Sequence, residues 1–230
     1  MAEFILSIGV WGVALTLGAF ALGTWINKKP GQAIFHPLLL GSAFVIVFLS
    51  LAKIPLAEYQ QSAQIISYLL LPATVSLAVP LYEQWMVLKK NALAVLCGIL
   101  AGSLTSMLVI VAMGWALKLD PVLTTSLMPK SVTTAIGVPL SQIVGGMASV
   151  TPAAIILTGI TASILGPWLC RLFRLTDDIS RGVAFGTAGH VIGTAKANEM
   201  SQLTGAVSSL SLVVACVLTA LVLPLVASFL

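Results

Sequence analysis

Charge is what this sequence lacks most. Lys, Arg, Asp and Glu together make up 8% of its 230 residues, where a soluble domain carries about 25%. A surface so poor in charge does not stay dissolved, which excludes a soluble enzyme and a disordered chain. Basic residues outnumber acidic ones by 11 to 7, but they are scattered between apolar runs. They form no dense stripe of the kind that nucleic-acid binding needs. Histidine is limited to His36 and His190, far apart in sequence. The three cysteines, Cys97, Cys170 and Cys216, lie in or beside apolar runs without CxxC or Cys/His spacing, so they read as small packing residues. The G-x-S-x-G elbow, HExxH and Walker A patterns are missing. The expectation is a protein that is not an enzyme and holds no cofactor or metal.

What is present instead is apolar length. Hydrophobic residues make up 59% of the chain and the mean hydropathy is +1.09. A helix needs roughly 20 apolar residues to cross a bilayer. Runs of that length fall near Phe4–Trp25, Ile34–Leu51, Ile65–Trp85, Ala92–Leu117, Ala148–Leu169 and Leu203–Leu230. Strand-length alternation is absent, so a barrel is not expected. Glu3 stands where a cleavable signal carries Lys or Arg, and the first run is too long for one. Linkers are short. The reading is an all-α polytopic membrane protein: one domain over residues 1–230, about six full spans and two broken segments.

The broken segments are Asp120–Met147 and Asp178–Met200. Pro129, Lys130 and a run of hydroxyl residues interrupt the first, and Gly186, Gly189 and Gly193 interrupt the second. Each divides into apolar pieces of roughly ten residues, which at about 1.5 Å per residue reach only to mid-bilayer. Charge agrees. Lys28 and Lys29 place the first loop inside and the N-terminus outside. Arg171, Arg174 and Arg181 then fall inside only if Asp120–Met147 enters and returns. Asp178–Met200 dips in from the cytoplasmic side by the same count. Two hairpins approaching from opposite faces is the pattern of inverted-repeat transporters. A weak echo between LPATVSLAVPLYEQ, from Leu71, and MPKSVTTAIGVPLSQ, from Met128, is read either as a decayed repeat or as shared local chemistry.

Lys130 is the most informative residue, because a lysine deep in hydrocarbon costs about 2.5–3.5 kcal/mol on insertion scales. Pro129 ends one half-helix, and Ser131, Thr133 and Thr134 can cap the next, whose amides carry partial positive charge. The arrangement reads as an anion site, against an alternative of a lysine snorkelling from an ordinary loop. In the second break Gly186 and Gly193 allow close backbone approach, Thr187 and Thr194 offer hydroxyls, and His190 can titrate. Lys196 and Glu199 have the spacing of an i,i+3 pair. The alternative is a small-residue helix packed closely on a neighbour, with His190 bonded in the core. Tyr82, Glu83 and Glu199 are candidates for gating or ion coupling, with Tyr82 and Glu83 otherwise read as ordinary interfacial residues. Gly98-x-x-x-Gly102 reads as a packing motif.

PLYEQ (Pro80–Gln84), PKSVTT (Pro129–Thr134), GTAGHVIGTAKANE (Gly186–Glu199) and GAVSSLSLV (Gly205–Val213) together resemble the LrgB/CidB/YohK family of bacterial membrane proteins. The resemblance runs from about the second span to the C-terminus. It implies the bacterial inner membrane and offers two functions. The first expectation is a transporter of small monocarboxylates such as glycolate, glycerate or pyruvate, with proton or sodium coupling left open. Lys130, Ser131, Thr133 and Thr134, completed by Gly186, Thr187, His190, Gly193, Thr194 and Lys196, would then bind the substrate. The alternative is an antiholin-like regulator of murein hydrolase activity and autolysis. The resemblance also implies a small LrgA- or CidA-like membrane partner; a homodimer is the expected assembly of the chain itself.

Overall fold

In hydrocarbon an uncharged chain has to close its own backbone hydrogen bonds, and a helix does so within one segment. The computed structural model describes residues 9–27, 37–76 and 78–228, and helices are the regular elements among them. Lys28, Lys29 and His36, and the outer ends of the first, second and last expected spans, lie outside the described residues. The contacts divide the chain into two compact units, residues 1–76 and 77–230.

The first unit holds α1 (Trp11–Asn27), α2 (Pro37–Ala52), α3 (Leu56–Ser62) and α4 (Gln64–Ser76). Its core is Trp11, Ala19, Val45, Leu49 and Ile54. Trp11 and Tyr59 face each other with ring centroids 6.0 Å apart, and the Tyr59 hydroxyl lies 2.7 Å from Thr16 Oγ1. The short helix α3 was not legible as an apolar run, because its sequence LAEYQQS is mostly polar.

The second unit holds α5 (Ala78–Glu83), α6 (Trp85–Lys90), α7 (Ala92–Leu117), α8 (Pro121–Leu127), α9 (Thr134–Ile143), α10 (Val150–Leu172), α11 (Asp178–Met200) and α12 (Gln202–Ala227). Helices α7, α10 and α12 are long and apolar enough to cross a membrane, and each matches an expected span closely. Over the span expected at Ile65–Trp85 the described residues fall in α4, α5 and the start of α6, with Leu77 outside the described residues, Pro72 inside α4 and a turn at Gln84.

Helices α2, α7 and α10 end at Lys53, Lys118 and Arg174, each with φ between 50° and 53°. The amide of the next residue closes each cap, as in Leu119 N–H to Gly114 O at 2.9 Å and Leu175 N–H to Cys170 O at 2.8 Å. Glycine is the usual residue there. A cation at the same place faces the negative end of the helix.

Candidate functional site at two opposed hairpins

The first hairpin begins where Asp120 caps α8, its carboxylate accepting from Val122 N–H at 2.7 Å with Pro121 in the first turn. The helix stops in a 3₁₀ turn, Met128–Ser131, where Pro129 is non-helical at φ −83°, ψ 19°. Val132 is extended, and α9 then runs back beside α8. A Cβ placed on Gly137 would approach Pro129 O at 3.3 Å, and one on Gly146 would lie 3.1 Å from Ser126 Cα. Ser126, in the last turn of α8, ties that arm to the end of the segment and to the start of α10. Its hydroxyl accepts from Met147 N–H at 2.7 Å, and its carbonyl accepts from the Thr151 hydroxyl at 2.9 Å.

The second hairpin lies within α11. Asp177 caps its start, accepting from the Ser180 amide at 2.8 Å and hydroxyl at 2.9 Å. These bonds hold the Asp177 carboxyl below the usual carboxylate range. The chain reverses at His190, with φ 42° and ψ −137°. Gly193 then faces the Phe185 carbonyl, 2.6 Å from the place of a Cβ, and Ser201 Oγ donates to Asp178 Oδ2 at 2.9 Å. The segment therefore ends beside its start.

The glycines at 186, 189 and 193 do not make this break, contrary to expectation. The turn falls on a histidine in backbone space that L residues avoid, at a cost of about 1–3 kcal/mol. The tertiary packing holds it there. His190 is 3% exposed, and its Nε2 lies 2.8 Å from Ile155 O. A carbonyl only accepts, so Nε2 carries the proton.

Helix α7 aligns the two hairpins through small residues on one face, at Gly98, Gly102, Ser106 and, two four-residue steps on, Gly114. Gly98 faces Val183, Gly102 faces Thr187, Ser106 meets Ser131 and Lys130, and Gly114 faces Thr124. The second hairpin therefore lies along the N-terminal half of α7 and the first along its C-terminal half, with the tips meeting between Gly102 and Ser106. The two segments therefore pack as hairpins from opposite ends of α7; the expectation was entry from opposite faces of the bilayer. Gly98-x-x-x-Gly102 is a packing motif, as read from the sequence.

The predicted site residues divide into three groups. At the first tip, Lys130 Nζ donates to Ser106 Oγ at 2.9 Å and to Ser131 Oγ at 3.2 Å. Lys130 has no ion pair among the described residues. Thr133 is the N-cap of α9 but makes no side-chain cap bond, and Thr134 is exposed. The expected hydroxyl cap is therefore not formed; the Ser131 hydroxyl is engaged with Ser106 and Lys130 instead. In the second hairpin, Gly186 is closed by the Ser208 carbonyl of α12, and Thr194 Oγ1 pairs with Ser208 Oγ at 2.8 Å. Thr187 is buried at the tip. The third group lies away from the tips. Lys196 and Glu199 pair with each other at 2.7 Å, as their spacing implies. Lys196 is six residues beyond the turn, about 9 Å along a helix. Tyr82 is 84% exposed, and Glu83 is exposed beside it.

Sequence reasoning missed Ser103 and Ser106 of α7, Ser208 of α12 and the Ile155 carbonyl. Ser106 continues the four-residue spacing from Gly98 and Gly102, and Ser208 lies within the GAVSSLSLV motif; Ser103 and the Ile155 carbonyl had no signal. A cleft of about 880 Å³ opens between α7, α10 and the first half of α11. Gly102, Leu165, Phe185 and Thr187 line it, and Lys130 is the charged residue on its wall.

These elements define a helical membrane protein in which two broken hairpins meet against one long helix. The chain belongs to the LrgB-like family, which matches it over residues 16–229. It is 35% identical over 215 residues to the antiholin-like protein LrgB of Bacillus subtilis (strain 168), covering 93% of each chain. To the antiholin-like protein LrgB of Bacillus cereus (strain B4264) it is 34% identical over 220 residues, covering 95% of this chain and 96% of the relative. No solved structure matches it.

These relatives correct the first functional expectation. Monocarboxylate transport was implied by the family resemblance, with the basic, hydroxyl- and glycine-rich breaks as a physical reason to prefer it; the end-to-end relatives are named antiholin-like proteins instead. The packing accounts for much of the pattern that suggested a carrier. Gly186 and Gly193 receive backbone carbonyls, Thr194 pairs with Ser208, and the Ser131 hydroxyl is engaged by Ser106 and Lys130.

Proposed function

We propose that this chain is an antiholin-like protein of the bacterial inner membrane, restraining murein hydrolase activity and autolysis together with a small holin-like membrane partner. The observation that carries the reading is the match to antiholin-like relatives over more than nine-tenths of both chains. In this reading α7, α10 and α12 span the bilayer with the flanking apolar helices. The two hairpins are re-entrant from opposite faces, and the N-terminus is outside. The hairpin pair is the part built for a change of state: a cationic tip, a turn at a strained histidine, and small-residue contacts along α7. The tip residues from Lys130 to Thr134 and from Gly186 to Thr194 are then the elements through which the partner's state is sensed. Tyr82 and Glu83, both exposed, are available for contact with another chain.

The test is genetic and enzymatic. Loss of the gene should raise murein hydrolase activity in zymograms and bring lysis forward after energy-poison challenge. Restoring the wild-type chain should reverse both. Lys130→Met, inserted at wild-type level, should restore less. Unchanged hydrolase activity and lysis timing in the deletion strain would sink the reading. Capture of a small holin-like membrane protein on the tagged chain tests the partner separately.

A further inference from the structure

Where the hairpin tips meet α7 and α12, the protein encloses a second, much smaller cavity of about 10 Å³. Its wall carries five hydroxyl side chains: Ser103 and Ser106 of α7, Ser131 of the first tip, Thr187 of the second, and Thr219 of α12. Two of these hydroxyls are orphaned. Ser103 and Thr187 are 4% and 5% exposed, and neither oxygen has a hydrogen-bond partner among the described residues. Buried hydroxyls without partners are rare in native proteins because each has given up its bonds to water. Two on one small cavity call for a ligand.

We propose that a single water molecule occupies this cavity as a structural ligand joining the two hairpin tips. The volume admits about one water and nothing larger. A metal cation is excluded by the neighbouring charge, since Lys130 Nζ lies 2.9 and 3.2 Å from two of the five hydroxyl oxygens. The hydrogen-bond count fits. Lys130 donates to both Ser106 and Ser131, whose oxygens are 3.0 Å apart and share one hydrogen bond. That pair therefore has one hydroxyl proton left over for the water to accept. The water in turn donates to the Ser103 and Thr187 oxygens, which gives it the three partners typical of an internal water.

The consequence is a continuous chain of hydrogen bonds from Lys130, at the first tip, to Thr187, three residues before the turn at His190. The hairpins lie along opposite halves of α7, and the water links them at the point where they meet. Separating the tips breaks this chain, so the two hairpins change position as a pair. The inference does not depend on the function of the protein.

Thermal unfolding of the purified chain in detergent tests it by sign, using Ser103→Ala, Thr187→Val and the double variant. If the water is bound, each single replacement removes one of its partners and lowers Tm by about 3–6 °C. The double variant falls by less than the sum, because both changes break the same bridge. If the cavity is dry, each replacement removes a buried hydroxyl that had no partner. Tm then holds or rises and the effects add, which overturns the proposal. Radiolytic footprinting gives a second readout without substitutions. Met107 and Met128 line the same cavity and are 2% and 1% exposed. Bound water adjacent to them should make them oxidise well above other buried methionine; protection of both would also overturn the proposal.

Discussion

Replacing Gly186 with alanine is the sharpest test of how the second hairpin is held. A new Cβ there would run into the Ser208 carbonyl of α12 and lie 2.8 Å from Ser211 Cβ. The carbonyl belongs to a helix backbone that cannot swing aside, so α11 and α12 have to separate. Overpacking of this kind costs about 1–3 kcal/mol or more, set against about 1 kcal/mol gained from alanine's better helix propensity. A clash with fixed backbone belongs at the severe end of that range, so the net expectation is a loss of about 2 kcal/mol, or a fall in Tm of about 4–8 °C. Gly98→Ala supplies the control. Its Cβ would meet only the Val183 Cγ1 methyl, at 3.1 Å, which a small adjustment accommodates. The propensity gain then offsets the contact, and Tm should change by about 2 °C or less. Both variants are to be purified in the same detergent and followed by tryptophan fluorescence on heating. A Gly186→Ala protein as stable as wild type would refute the packing described for α11 and α12.

Three further outcomes follow from particular bonds. Asp177→Ala should lower Tm by about 2–4 °C at pH 7 through loss of the α11 cap. The carboxyl is held below its unfolded value of about 3.9, so its contribution is full above that pH and is lost as pH falls through the folded value. The gap between wild type and variant, measured from pH 7 down to pH 3, should therefore close in acid; a gap constant across the range would contradict the cap. Thr194→Val strands the buried Ser208 hydroxyl and should cost about 1–3 kcal/mol. Adding Ser208→Ala should recover part of that loss in a double-mutant cycle. Lys196→Ala breaks a surface pair whose Glu199 partner is well exposed. It should cost under about 1 kcal/mol, and a loss of several kcal/mol in urea unfolding would assign the pair a larger role than packing does.

Composition and patterning alone were enough for the membrane class, for the long helices α7, α10 and α12, and for a break at Pro129–Lys130. These properties are local. Apolar runs cannot stay in water, an uninterrupted run winds into one helix, and a proline followed by a charge stops it. The resemblance in PKSVTT and GTAGHVIGTAKANE reached the family for the same reason, since short motifs are read without knowing their neighbours.

Other features depended on contacts between residues distant in the chain. The turn of the second hairpin falls on His190 and not on the glycines around it, because Ile155, 35 residues earlier, offers its carbonyl to the imidazole. The glycines that suggested room for a ligand are filled by backbone from Phe185 and Ser208. Ser106 and Ser131, 25 residues apart, share one hydrogen bond beside Lys130. Hydrophobicity and helix propensity belong to each segment by itself, whereas a partner for a buried polar group exists only after the helices have packed. The sequence alone could therefore supply the long helices α7, α10 and α12, the break at Pro129–Lys130 and the family. Which hydroxyls pair, which glycines are closed and where the chain turns back were decided by the tertiary structure.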